Sequence, residues 1–234
     1  MIPLDDIAAH LLRPFDGGAL QPKTRCWMSG LSVFAPHDDV FWSLLDPTET
    51  VRARAFIRDE DQLRFIRAHG LLRCLLGEVT GQVPDRLGFT NNEHGKPELD
   101  LPDPLHFSLS TSEDQLVIAT CETGPVGVDV ECMKPIDVPL MLPMVRHETD
   151  DVILDLDKAE RLKAFFRLWT GKEAILKAIG TGFQVNPREI DLGEGFLIGT
   201  TQTAQVTAFS QSFDLVCEET PTAMVSLALS SRPA

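Results

Sequence analysis

The sequence predicts an α+β protein of two similar lobes, each a helix packed on a mostly antiparallel sheet. Three observations predict it. Two basic amphipathic helices carry matching segments, Phe65-Ile66-Arg67 in the first half and Phe165-Phe166-Arg167 in the second. Each is followed by a terminal hairpin pattern, at 106–121 and at 213–229. Gly124-Pro125 breaks the chain between the halves, which sets the division at 1–124 and 125–234.

The elements follow in order. Residues 24–34 read as a strand. Over 59–79, Leu63, Ile66, Leu71, Leu75 and Val79 fall near helical spacing, and Gly81 supplies a stop. Asn91 to Pro97 is a turn by composition. His106–Ser110 and Gln115–Cys121 read as a hairpin around Thr111 to Asp114, and Val126–Glu131 as a short strand. The Pro- and Met-rich passage 135–144 reads as loop. The second helix is the clearest element. Asp157 with Glu160 has capping-box spacing, and Gly180 sits where a terminal glycine belongs. Gly171 inside it costs about 1 kcal/mol against Ala and asks for a packing or functional reason. After Gly182 four strands are expected, at 196–200, 204–209, 213–218 and 223–229.

Composition bounds the function. With 43% apolar and 24% charged residues, the 234-residue chain is a soluble globular type with core enough to fold without staples. Five cysteines, an odd count without C-x-x-C spacing, point to free thiols in a reducing cytoplasm. No apolar run approaches a membrane span, and the acidic start has no basic n-region, so neither membrane nor secretion is expected. The net charge of -14 argues against nucleic acid, which requires Lys and Arg to replace counterions. The charge is uneven, however. Residues 52–73 carry +3, residues 161–177 carry +4, and the remainder -21. Such clusters are able to hold an anion inside an acidic protein, and they also describe two helices with solvated basic faces.

Four segments could carry chemistry. In Gly127-Val128-Asp129-Val130-Glu131, strand alternation puts Asp129 and Glu131 on one face, roughly 6.5 Å apart at Cα. Two such carboxylates reach one hard cation, and Mg²⁺ is commonly held by one or two carboxylates plus phosphate oxygens. A half-buried strand with its acids in water has the same pattern. In Trp169 to Lys177, helical spacing aligns Trp169, Glu173 and Lys177. Glu173 would complete a three-carboxylate site, with Lys177 one turn on for a phosphate or a proton; an ordinary surface pair has the same spacing. Asn92-Glu93-His94-Gly95-Lys96-Pro97 offers backbone N–H groups and an ammonium to an anion, or is simply a turn. His106 to Ser112 places hydroxyls at a hairpin bend, where Ser and Thr are common in any case. No Gly-x-Ser-x-Gly elbow and no zinc-type histidine spacing occur.

In this order and at these distances the four segments resemble the Sfp-type 4′-phosphopantetheinyl transferases, from about Arg52 to Ile190. The specific part is Gly-x-Asp-x-Glu followed some 38 residues later by Trp-x-x-Lys-Glu-Ala-x-x-Lys. The resemblance implies a monomer of two lobes related by pseudo-two-fold symmetry, with coenzyme A in the cleft between them. It implies Mg²⁺-dependent transfer of 4′-phosphopantetheine to a serine of an acyl or peptidyl carrier protein, releasing 3′,5′-ADP. Nonribosomal peptide or polyketide pathways are the family's setting.

By motif, Asp129, Glu131 and Glu173 would hold the metal, with Asp129 also touching the coenzyme. Glu173 would serve as base, and Lys177 would stabilise charge on the transferring phosphate. Arg52, Arg64, Lys96, Pro97, Ser110 and Thr111 fall at coenzyme contacts, and Glu148 near a further acidic position. The family usually carries histidine where this chain has Thr111. Threonine keeps one hydroxyl donor but no charge. That leaves either a compensating arginine of 52–67 for the coenzyme's 3′-phosphate or a lower affinity.

Two other functions fit the same residues: a non-catalytic coenzyme A- or carrier-binding protein of the same fold, and a Mg²⁺ enzyme hydrolysing a nucleotide pyrophosphate. The apolar passage 132–148 is read either as a carrier-docking loop or as part of the core.

Overall fold

The computed structural model describes residues 13–15, 22–102, 105–181 and 185–231. The acidic start lies outside them. One antiparallel sheet has the order β1-β2-β6-β5, from Arg13–Pro14, Thr24–Gly30, Gln115–Cys121 and His106–Ser112. A second has the order β7-β10-β9-β8, from Val126–Cys132, Ala223–Ser230, Gln211–Glu219 and Thr203–Ala208. A small hairpin pairs β3 (Phe89–Asn91) with β4 (Pro97–Leu99) around the expected turn.

Seven α-helices occur among the described residues: α1 Asp38–Leu44, α2 Pro47–Arg54, α3 Asp59–Thr80, α4 Val138–Met141, α5 Val152–Asp155, α6 Lys158–Ile179 and α7 Glu194–Leu197. The architecture is thus α+β.

Strand alternation sorts side chains between cores. Along β6, Leu116 and Ile118 join the cluster under α3, with Phe65, Leu71 and Leu75. Val117, Ala119 and Cys121 turn the other way and pack with Val126, Val128 and Val130 of β7 and Val225 and Leu227 of β10. Helix α6 covers the remaining face of the second sheet through Phe165, Leu168 and Ile175, which share a core cluster with Met224 of β10. Its start is fixed by Asp157, whose carboxylate accepts from Ala159 and Glu160 N–H, a cap worth about 1 kcal/mol. Its end is Gly180, at φ 77°.

The seam between the sheets has an unusual construction. Strands β5 and β7 are both sheet edges, and they run side by side in the same direction. Serine hydroxyls stand in for a backbone ladder. Val128 N–H donates to Ser108 Oγ, and Cys132 N–H donates to Ser112 Oγ, each at 3.1 Å. Alternate serines therefore satisfy the edge donors that an open strand would leave exposed.

Close packing explains two glycines. A Cβ on Gly127 would lie 2.0 Å from Ala174 O and 2.4 Å from Ala178 N, so α6 rests directly on the β7 backbone. Gly127→Ala must push the helix off the strand. We expect a loss of at least about 2 kcal/mol in urea denaturation; a loss under about 0.5 kcal/mol would contradict this packing. Gly171 has a packing reason too: a Cβ there would sit 2.8 Å from Leu192 Cδ1.

Three expected elements differ. The strand expected over 24–34 ends at Gly30, and Leu31–His37 form a 3₁₀ turn. Asp114, at the β5–β6 bend, captures that turn by accepting from Ser32 N–H and Ser32 Oγ. The strand expected over 196–200 is the helix α7 followed by Gly199 at φ 78°. Phe196 and Leu197, adjacent in sequence, are both buried, which strand alternation does not permit against a single core face. The 135–144 loop contains α4 and a 3₁₀ turn at Leu142–Met144. Val138 and Leu142 face the core, while Leu140 and Met144 stay exposed.

Candidate active site between the two sheets

The site grows from the seam. On β7, valines 126, 128 and 130 enter the core, so Asp129 and Glu131 face the opposite way, toward α6. On α6, Glu173 and Lys177 share one stripe that meets them. Lys177 Nζ lies 2.7 Å from Asp129 Oδ1 and donates to Ser110 Oγ at 2.8 Å. Ser110 Oγ in turn donates to Asp129 Oδ1 at 2.8 Å. Ser112 Oγ donates to Glu131 Oε2 at 2.8 Å. The serines of β5 thus hold both carboxylates of β7.

Electrostatically the group is overloaded with negative charge. Burial pushes the Asp129 carboxyl up, against the pull of Lys177. Burial likewise raises Glu131, with Asp129 adding repulsion. Glu173 is raised by burial and then by Asp129 and Glu131. Three carboxyls share one lysine. Asp129 Oδ2 is buried without a hydrogen-bond partner, and the Glu173 carboxylate accepts none among the described residues. An unpartnered buried carboxylate oxygen beside two further acids is a donor set of the kind Mg²⁺ takes. No three acidic, histidine or cysteine side chains among the described residues are gathered into a chelating group as they stand. Ligation by all three would therefore require their side chains to converge.

Next to this group a cavity of about 650 Å³ opens between the two halves. Glu173, Leu176, Lys177 and Gly180 line one side. Arg52, His69, Phe89, Lys96, Pro97 and Phe107 are among the residues lining the rest. Such a volume suits a ligand of nucleotide-cofactor size.

The expected site residues divide accordingly. Arg52, Lys96, Pro97, Glu173 and Lys177 line the cavity, while Ser110, Asp129 and Glu131 stand behind Lys177. Lys96 is turned to the main chain: its Nζ donates to Lys177 O at 2.7 Å and Val126 O at 3.2 Å, and burial lowers its pKa to about 8. An ammonium there offsets the negative end of α6. Arg64 is paired with Asp61 and is not among the cavity residues. Thr111 shares the β5 face of Phe107 and Leu109 but lies outside the lining. Glu148 is exposed. Its neighbour Asp150 is instead buried, with Lys172 Nζ at 2.8 Å.

Sequence reading missed the far wall: Asp46, Glu49 and His69. Asp46-Pro47-Thr48-Glu49 is a readable capping box, and it caps α2 as such. Nothing in it signals that Glu49 also meets His69 Nδ1 at 2.9 Å and Arg73 Nε at 2.6 Å. Burial works against the Glu49 charge, but His69, the Asp46 N–H and Arg73 together outweigh it and lower its pKa. The unfolded chain then binds the proton more readily than the folded one, so stability rises with pH through this window. We expect stability to fall as pH drops below the ordinary glutamate value of 4.5. Glu49→Gln should flatten that fall in acid titrations of the urea midpoint, and an unchanged slope would remove the assignment.

Comparison with known proteins points to one superfamily. Residues 125–222 match the 4′-phosphopantetheinyl transferase superfamily. The chain is 30% identical over 146 residues to the 4′-phosphopantetheinyl transferase Sfp of Bacillus subtilis, covering 62% of this chain and 64% of that protein. It is 33% identical over 143 residues to HetI of a Nostoc species, covering 59% and 60%, and 32% identical over 151 residues to gsp of Aneurinibacillus migulanus, covering 62% of each. The alignments thus span less than two thirds of these relatives.

Proposed function

We propose, from the premise that residues 125–222 are a 4′-phosphopantetheinyl transferase superfamily domain, that the chain transfers 4′-phosphopantetheine from coenzyme A to a carrier-protein serine. The observation that carries the reading is the cavity between the halves, which has Glu173 and Lys177 on one wall and two more carboxylates directly behind. In this reading residues 1–124 supply most of the coenzyme wall and residues 125–234 the reacting groups.

Phosphoryl transfer asks a protein mainly for position and charge neutralisation. Glu173, its carboxyl raised by burial, is suited to take the serine proton. Lys177, held by Asp129 and Ser110, presents an ammonium to the charge developing on the phosphate oxygens. Asp129, Glu131 and Glu173 would hold Mg²⁺, which when bound supplies Lewis-acid stabilisation of the pyrophosphate. The acceptor is an acyl or peptidyl carrier protein of nonribosomal peptide or polyketide type, and 3′,5′-ADP is the leaving product. The protein acts as a monomer. No helix among the described residues is long and apolar enough to cross a membrane. Five unpaired cysteines favour a reducing cytoplasm.

The test is mass spectrometry of apo carrier proteins incubated with this protein, coenzyme A and Mg²⁺. A phosphopantetheine mass gain is expected on at least one carrier. Coenzyme binding without any gain across a panel would favour the non-catalytic binding protein instead.

A further inference from the structure

The last turn of α6 carries Lys177, and a segment from the first half of the chain closes the end of that turn. Carbonyls at the C-terminus of a helix lack helical donors and must find others. Leu176 O still receives Gly180 N–H, at 2.9 Å. Beyond it the donors come from the turn between β3 and β4. Lys96 Nζ donates to Lys177 O at 2.7 Å and to Ala178 O at 3.4 Å. The same ammonium donates to Val126 O at 3.2 Å, on the first residue of β7. Asn92 Nδ2 donates to Gly180 O at 3.0 Å.

The turn is braced for this contact. Asn92 Oδ1 accepts from the His94 and Lys96 N–H groups, each at 2.9 Å. One side-chain amide therefore shapes the turn with its oxygen and reaches α6 with its nitrogen. Gly180 admits the approach: a Cβ there would lie 2.8 Å from Lys96 Cδ and 3.1 Å from Asn92 Nδ2.

Lys96 lines the cavity, yet its ammonium is committed elsewhere. An ammonium has three donors, and three carbonyls receive them. One of those carbonyls belongs to Lys177, whose own ammonium is held by Asp129 and Ser110. Lys177 is thus fixed at both ends, at its backbone by the first half and at its side chain by the seam. Building on the proposed transfer reaction, we propose that Lys96 and Asn92 are positioning residues: the β3–β4 turn caps α6 from the other half and so aims Lys177, and Lys96 is not a ligand of the coenzyme's phosphates.

The experiment uses Lys96→Met and Asn92→Asp. Methionine keeps an unbranched stem and removes the three donors. Aspartate keeps the oxygen that braces the turn and removes the donor to Gly180 O. Calorimetry with coenzyme A and with 3′,5′-ADP gives affinity and the number of binding sites without turnover. The carrier assay with Mg²⁺ at saturating coenzyme A then gives kcat per binding site. We expect kcat per site to fall at least about tenfold in Lys96→Met and about threefold or more in Asn92→Asp, since a misplacement of about 1 Å costs about 10²-fold. Dissociation constants for both nucleotides should stay within about threefold of wild type, with the number of sites unchanged.

Binding weakened at least about tenfold in Lys96→Met, with kcat per site kept, would make Lys96 a phosphate ligand and overturn the inference. Fewer sites with unchanged kcat per site would mean that the contact only holds the fold, and would overturn it too. Wild-type kcat in both variants would overturn the inference and leave the transferase reading intact. No transfer by the wild-type protein to any carrier would overturn both.

Discussion

Glu173→Gln is expected to lower kcat for phosphopantetheine transfer by about 10²-fold or more while making the free protein more stable. The amide would keep the shape of the side chain but would neither accept the serine proton nor bind Mg²⁺ with charge, and removing a positioned base costs about 10²–10⁴ in rate. The stability gain has a separate origin. In the wild type, Glu173 is repelled by Asp129 and Glu131 in a half-buried group that holds one lysine. Deleting one of three like charges relieves that repulsion, and gains of about 1 kcal/mol are usual where function holds a site under electrostatic strain. The measurement is thermal denaturation in EDTA alongside the carrier assay at saturating coenzyme A.

Mg²⁺ should raise the wild-type midpoint, because a ligand bound only to the native state stabilises by mass action, and should raise that of Glu173→Gln less. A variant that transfers at the wild-type rate would remove Glu173 from the reaction. A variant less stable than wild type would remove the repulsion argument. Asp129→Ala should also abolish transfer but without the stability gain, since it leaves Lys177 unpaired at the seam.

Arg73→Met is expected to be the most destabilising single change, at about 3–5 kcal/mol. The Arg73 side chain is fully buried. Its Nη2 meets Asp46 Oδ2 and its Nε meets Glu49 Oε2, each at 2.6 Å, while Nη1 donates to Pro84 O and Leu87 O at 3.1 Å. Its guanidinium also lies 4.9 Å from the Phe89 ring centre. Methionine fills the stem but leaves two carboxylates and two carbonyls without their donor. Breaking a buried pair costs more than the pair itself contributes, because the remaining charges are uncompensated. Of a typical total of about 5–15 kcal/mol, such a loss leaves the first half marginal. Adding Asp46→Asn and Glu49→Gln should recover part of it, since neutral amides no longer demand a cation. Urea midpoints decide the matter: a loss under about 1 kcal/mol, or no recovery in the triple variant, would mean that Arg73 is not what joins α2 to α3.

Much of this molecule was legible locally. The capping residue Asp157 and the stop Gly180 bound α6, and the valines of β7 announced which face Asp129 and Glu131 would share. Helix and strand periods are short-range facts, set by backbone geometry and readable from neighbours. Leu31–His37 and α7 depart from their local pattern for the same reason in reverse. Asp114, 82 residues away in sequence, captures the first, and Phe196 closes the second by packing against Gly171. Lys96 also read as an anion ligand, because a Gly-Lys turn looks alike whether its ammonium meets a phosphate or the end of a helix.

The sequence by itself determined the α+β content, the two long amphipathic helices, and the acids and lysine of the site with their shared faces. Only the tertiary structure decided that Lys177 would meet Asp129, that the serines of β5 would bridge the edge of β7, and that Arg73 would bind Asp46 and Glu49 beside the cavity. These contacts join residues 19 to 67 positions apart. Such partners are chosen by which faces pack together and by the cost of leaving a buried charge or edge N–H unsatisfied, and neither quantity is written in the local pattern of the chain.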